Sequence, residues 1–524
     1  MFASLPQQLP ADTVTYVELK KAGELRKREG FEAQIFIDDV VFYHEGAFMY
    51  CDSAYLYKET NTFEAFSNVR MEQGDTIFVY GDYLHYDGNT QLARLRNNIR
   101  MEDKNATLFT DSLNYDRLQN LGYYFEGGLL VDEKNELTSF WGQYNPESKE
   151  ALFSDSVKLI NPDYTIFSDT LKYNTETKIA DILGPSVIRS DSGFIHTTRG
   201  WYNTTTDDAH LYDRSEIFSK DSTKLLTGDT IHYNRQNGIG EVYGHMLLND
   251  MEKRAILNGN YGFYNEQTEY GLATDSAYVI DYSQSDSLFL HGDSLIMQSD
   301  SIYRDIHAFR NVRFYRHEMQ GLCDSMHYSS RDSVLHLVGE PVIWNEANQV
   351  LGDKIEILLN DSTIEKVDIK NFALAIQYRN VPDQYNQLSG SNMIISFRNG
   401  EMRHLLVEGN AQSRYYIPNE DSTFIIGLNK TESPYLSMDI ENNQIQKIKL
   451  WPASKAETVP LPQLNPDESK LKGFVWLNYL RPMNKMDIFR SNKRKEEDNV
   501  EVPTLRFTRP EDEEPEKEKT TEIQ

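Results

Sequence analysis

The sequence predicts an all-β fold, an elongated β-solenoid or twisted β-jelly-roll of stacked repeats about thirty residues long. Three observations predict it. An Asp-centred element returns along most of the chain, a second apolar element returns between its copies, and the composition favours strands over helices. Tyr and Phe number 32 and 25, with abundant Thr, Ile and Val, while Ala- and Leu-rich helical stretches are scarce.

The Asp-centred element reads "CDSAYLY" at Asp52, "GDYLHY" at Asp82, "TDSLNY" at Asp111, "SDTLKY" at Asp169, "GDTIHY" at Asp229, "GDSLIM" at Asp293, "CDSMHY" at Asp324 and "GDKIEI" at Asp353. The longer gaps hold degenerate copies that keep an aromatic and lose the Asp, as in "WGQYN" near Gly142 and "RGWYN" near Gly200. The period is too short for a propeller blade and lacks the Leu and Asn ladder of leucine-rich repeats. An Asp at the start of each strand is expected to accept backbone N–H groups where its own chain turns. The same acid repeated along an array suggests one structural job done many times rather than catalysis.

The second element reads "FSNVRM", "RNNIRM", "EGGLLV", "SDSVKL", "FRNVRF" and "GEPVIW", each with two apolar residues two apart after a turn-like residue. Alternation assigns the faces. Leu84 and Tyr86 share one side of their strand, and Leu95, Ile99 and Met101 fall opposite Arg94, Arg96 and Arg100. Leu113 and Tyr115, Leu171 and Tyr173, Ile231 and Tyr233, Phe314, and Met326 with Tyr328 keep the register. Stacked, these positions form a continuous apolar lining. Register alone leaves two forms for it, a long slot between splayed sheets or a closed, packed core.

A chain of 524 residues, 39% hydrophobic, has ample material for a buried core. Its net charge of -28 argues against a nucleic-acid partner, because phosphate backbones are held by Lys and Arg. No run approaches the eighteen or so apolar residues of a membrane span. Cys51 and Cys323 occupy the same repeat position. Nine strand spacings of separation, about 40 Å or more, would rule out a disulfide.

No catalytic residue, cofactor or metal site is predicted. The histidines, among them His44, His85, His232 and His327, read as polar-face strand residues without metal-ligand spacing. No nucleophile elbow, phosphate loop or dinucleotide fingerprint occurs.

The stretches "VVFYHEGAFMYCDSAYLY", "FEAFSNVRMEQGDTIFVYGDYLHYDGNTQLARLRNNIRMED" and "DSLFLHGDSLIM" resemble the OstA-like proteins of Bacteroidetes, relatives of the lipopolysaccharide carrier LptA. The likeness runs through residues 31–370 and more weakly to about 450. It implies a V-shaped jelly-roll of stacked strands, the β-taco, whose apolar inner surface receives the acyl chains of lipid A. It further implies a periplasmic location, other transport proteins of the same fold as partners, and no enzyme activity. Length is the departure, with about twice the periods of the short carrier. The rival readings are a carbohydrate-active β-helix enzyme, which requires acids clustered on one face, and a structural scaffold with a closed core.

The expected divisions are 1–30, an export remnant ending in "FASLPQQ" and a basic connector; 31–372, the array; 373–452, its continuation with an inserted loop; 453–490, a Pro-rich linker and an aromatic docking or capping segment; and 491–524, a charged, disordered tail. A stacked array leaves a strand edge at each end. The first convincing strand, "AQIFIDDVVFYHEG", is expected to expose Ile35 and Ile37 for edge-to-edge self-association or partner pairing.

Overall fold

The computed structural model describes residues 15–283, 286–300, 302–360, 363–398, 401–419, 424–441 and 444–494. The expected export remnant up to residue 14 and the charged tail from 495 onward lie outside them. The chain is all-β, with forty strands and four short 3-10 helices among the described residues. It divides into two compact units, residues 1–288 with 293–306, and residues 289–292 with 307–524. The sequence boundaries at 372 and 452 fall inside the second unit.

The first unit is an antiparallel meander of hairpins. Ile77–Asp87 pairs with Thr62–Gln73 on one side and Leu92–Glu102 on the other, and Thr107–Asp116 follows in the same manner. Each long strand bends in the middle, where the pairing slips: between Phe66 and Val69, between Tyr80 and Tyr83, and between Arg96 and Ile99. Two consecutive left-handed residues make the bend on alternate strands, Ser67 and Asn68 (φ 63° and 51°), Asn97 and Asn98 (66° and 54°), Asp155 and Ser156 (63° and 58°). Short polar side chains tolerate this conformation where β-branched ones do not. The bulges stack into a corner that divides the unit into two limbs. Strand halves that end in the repeated tyrosine form the first limb, and the halves beyond the corner form the second.

The limbs face one another. Phe36 on the first meets Phe42 on the second, with ring centroids 6.2 Å apart. Alternation then buries one face of both limbs, each inward Leu or Ile contributing about 1.5–3 kcal/mol by leaving water. Tyr124 shows how tight the fit is, because a Cβ at Gly128 or Gly142 would come within 2.4 or 2.5 Å of its ring.

The basic segment at the N-terminus is part of this sheet. Glu18–Lys21 and Glu24–Arg26 both pair with Gln34–His44, placing Ile35 between Arg26 and Tyr55 and Ile37 between Glu24 and Ser53. Ile35 and Ile37 are therefore not edge residues, which corrects the sequence expectation. The outer strands are exposed and charged, a composition that blunts an edge.

In the second unit, hairpins again bend in the middle, as at Asn371 and at Gly409 with Asn410. Residues 461–494 return along this unit as a chain with three-residue and four-residue 3-10 turns only.

Candidate functional site

The corner, the interior and the free ends of the limbs make three successive layers. At the corner, the Asn68 side-chain amide donates to Asp52 Oδ2 at 2.7 Å and that of Asn98 to Asp82 Oδ2 at 2.5 Å. The Asn98 amide N–H reaches Asp111 at 3.3 Å, and His245 Nδ1 lies 2.6 Å from Asp229. Asp52, Asp82, Asp111 and Asp229 thus hold the bulge of a neighbouring strand, rather than capping a turn of their own chain. Backbone bonds from the amides of Asp169, Asp229 and Asp324 to the carbonyls of Pro185, Gly244 and Gly339 reinforce the same junction. Asp169 accepts from Thr170 and Asp324 from Ser325. Burial pushes the Asp353 carboxyl up, with Glu340 adding to the effect. Asp293 sits at the start of Ser294–Ser299.

Of the fourteen residues assigned to the lining, twelve turn inward and are at most 6% exposed: Leu84, Tyr86, Leu95, Ile99, Met101, Leu113, Tyr115, Leu171, Tyr173, Ile231, Phe314 and Met326. Tyr233 and Tyr328 are half-buried. Arg94, Arg96 and Arg100 lie on the outer face. At these positions the side chains fill the interior.

The free ends of the limbs are joined by a polar seam that the sequence reading missed. The Tyr144 hydroxyl donates to Asp103 at 2.5 Å, and Lys149 Nζ lies 3.1 Å from the same carboxylate. Tyr173 and Lys178 repeat the arrangement on Asp132, at 2.5 and 3.0 Å. The tyrosines and lysines end the first limb, and the aspartates stand in turns of the second. Earlier in the chain Arg117 plays the bridging part, reaching Tyr86, Gln73 and the Glu45 carbonyl at 2.7, 3.0 and 2.9 Å. His44 also bonds Tyr86 at 2.9 Å and is buried, so it belongs to the seam and not to the polar face. Later, Lys224 and Lys253 of the second limb grip Glu269 of the first at 3.0 and 2.5 Å.

Burial alone would raise the Asp132 carboxyl, but the Tyr173 hydroxyl, the Lys134 and Asn135 amides and Lys178 outweigh it and hold it below the ordinary value of 3.8. The seam aspartates recur at the spacing of the array, as do Tyr144 and Tyr173. That shared period was the signal available in the sequence.

The seam has a gap. Tyr202 and Arg235 both bond Asp207, at 2.6 and 2.9 Å, yet all three end the first limb. Opposite them, Ser190 bonds Ser192 and Ser219 bonds Asp221 within their own turns. A cavity of about 50 Å³ opens here, walled by Ile188, Ile195, Ile217, Leu226 and Leu248. Tyr233, Tyr264, Lys224, Arg235 and Glu266 stand at its margin. Burial pushes the Glu266 carboxyl up against the pull of Lys224 and Tyr233. The Arg235 Nε is buried without a hydrogen-bond partner, a donor left over beside an apolar hollow. Among the described residues, no group of three or more His, Cys, Asp or Glu is arranged to hold a metal ion.

These features define a class: a bent β-repeat protein with an apolar interior, the limbs of its first unit joined by a polar seam that is interrupted near Asp207. Residues 14–169 match the family model described as OstA-like protein. Over that stretch the chain is similar to OstA-like proteins, and the resemblance read from the repeats is borne out there. Among solved structures, 27% of the chain matches 93% of "LptH, the LptA homologous periplasmic component of the conserved lipopolysaccharide transport device from Pseudomonas aeruginosa", at 13% identity and a TM-score of 0.21. No curated protein matches the chain. Among the described residues, no helix is long and apolar enough to cross a membrane.

Proposed function

We propose that this protein is a non-enzymatic, periplasmic carrier of lipopolysaccharide that takes acyl chains into the first unit through the gap between Ser190 and Lys224. The observation that carries the reading is the interruption of the seam over an apolar hollow, in a chain whose OstA-like stretch already turns one apolar face inward at every rung. A cavity of about 50 Å³ has room for water and not for a hydrocarbon chain. Loading therefore requires the limbs to part at Ile188, Ile217 and Leu226, and each buried methylene then returns about 0.8 kcal/mol. Arg235 is placed to receive an ester carbonyl or phosphate at the root of such a chain. Transport proteins of the same fold are the partners this reading expects, with edge-to-edge association as the means.

The packed interior favours one rival, a scaffold whose core never opens. Photo-crosslinking to lipid A separates the two. A crosslinker at Ile217 should capture lipid A, and one at Arg96 on the outer face should not. Equal capture at both, or none at Ile217 in folded protein, would leave the scaffold reading standing.

A further inference from the structure

The interior of the second unit is occupied by the chain itself. Leu471, Leu477 and Leu480 are buried in one cluster with Leu322, Val342, Trp344, Leu351, Leu374 and Ile376 from the strands. The sequence reading offered this segment as a cap for the last rung or a docking peptide. It covers earlier rungs instead, running from Arg414, which donates to the Glu468 carbonyl at 2.9 Å, back to Arg313.

Hydrogen bonding distinguishes this contact from ordinary core packing. Gln387, 4% exposed, accepts the Leu471 N–H and donates to the Ser469 carbonyl, both at 2.8 Å. Gln349, 0% exposed, repeats the pattern: it accepts the Leu477 N–H at 2.7 Å, donates to the Val475 carbonyl at 2.8 Å, and is steadied by Trp344 Nε1 at 3.1 Å. Arg313, also 0% exposed, donates to the carbonyls of Leu480 and Ser491 at 2.9 and 2.7 Å and to the Asn492 side chain at 2.5 Å. Gln320 accepts from Arg481 at 2.8 Å.

Buried amides and a buried guanidinium are costly unless every such group finds a partner. A hydrocarbon chain offers none, and an extended peptide backbone offers a donor and an acceptor at each residue. We infer that the interior of the second unit is a peptide-binding groove whose ligand is the protein's own segment 466–494, held by paired backbone bonds to Gln387 and Gln349 and by leucines at 471, 477 and 480. The groove selects a leucine-bearing peptide with free backbone donors and acceptors and excludes acyl chains from this unit. This holds whether or not the first unit carries lipid.

The test uses the full chain with a protease site introduced at Leu461–Gln463, cut after folding. The freed segment should co-elute with the rest and exchange with a fluorescently labelled peptide of residues 466–494, read by anisotropy. The same peptide N-methylated at Leu471 and Leu477 should bind at least about tenfold more weakly, the loss expected when buried hydrogen bonds are removed. That comparison changes the ligand alone, so both affinities are read on one and the same cut protein. Sodium laurate should not displace the labelled peptide. The proposal is overturned if the cut protein unfolds, if a folded cut protein never exchanges its segment, if N-methylation has no effect, or if laurate displaces the peptide.

Discussion

The Tyr173 hydroxyl donates to the Asp132 carboxylate at 2.5 Å, joining two limbs from positions 41 residues apart, and Tyr144 meets Asp103 at the same distance and the same separation. Two such bonds in phase with the repeat make the seam a built element and not a chance pair.

A buried hydrogen bond to a charged group contributes about 1.5–3 kcal/mol. Tyr173→Phe and Asp132→Asn should each lower unfolding free energy in urea by that amount. The double variant should cost less than the sum, because the two residues share one interaction. Strict additivity would show that the latch contributes no coupling.

The seam also sets a pH response. Asp132 and Glu269 are held below their ordinary values of 3.8 and 4.5, in both cases by hydrogen bonds and lysines that outweigh burial. In the second unit, Lys354 and Lys370 likewise outweigh burial and bring Glu356 down to about 2. A carboxyl depressed on folding stabilises the protein above its unfolded value, and that contribution fades as the pH falls through the folded value. Stability should therefore drop below about pH 4, less steeply in Asp132→Asn. At the alkaline end, burial pushes Tyr115 and Tyr124 up to about 12 from 10.0. Their neutral forms favour the folded state below pH 10, and the advantage is lost as the pH rises from there toward 12. Tyrosinate absorbance from these residues should appear together with loss of β circular dichroism. Full ionisation in a folded chain would contradict the packing.

At the corner, Asn98 combines a left-handed backbone with a bond to Asp82. Asn98→Gly keeps the backbone freedom and loses the bond, while Asn98→Val loses both. The glycine variant should cost about 1 kcal/mol and the valine variant distinctly more, read as denaturation midpoints. Equal effects would mean that the bend does not depend on left-handed tolerance.

The inward register was legible because strand alternation has a period of two and the repeat restates it many times, so Leu84, Leu113 and Leu171 could be placed without a structure. What the lining does was harder to read. Whether Leu95 faces a slot or a neighbour depends on how far apart the limbs stand, and no local pattern carries that distance. Asp103 and Asp132 were overlooked because an acid in a turn is ordinary, and only its agreement in phase with Tyr144 and Tyr173 marks it. The edge assignment of Ile35 and Ile37 failed because the charged stretch before them hid two short strands. The groove of the second unit lay beyond reach, since Gln349 meets Val475 across 126 positions and Asn492 meets Val312 across 180.

The 41-residue span of each latch has a consequence for synthesis. Each strand pairs with its near neighbours and needs only the adjacent hairpins to do so. Asp132, however, waits for Tyr173 and Lys178 before its limb can be sealed. The growing end of the first unit is therefore always an unfastened trough, wet at the mouth and apolar along the floor, trailing the last translated residue by more than one repeat. A chain that ends between positions 136 and 173 leaves that trough with a carboxylate deprived of its partners from the opposite limb, and with exposed leucines. Truncated products of that length are thus natural clients for a holdase.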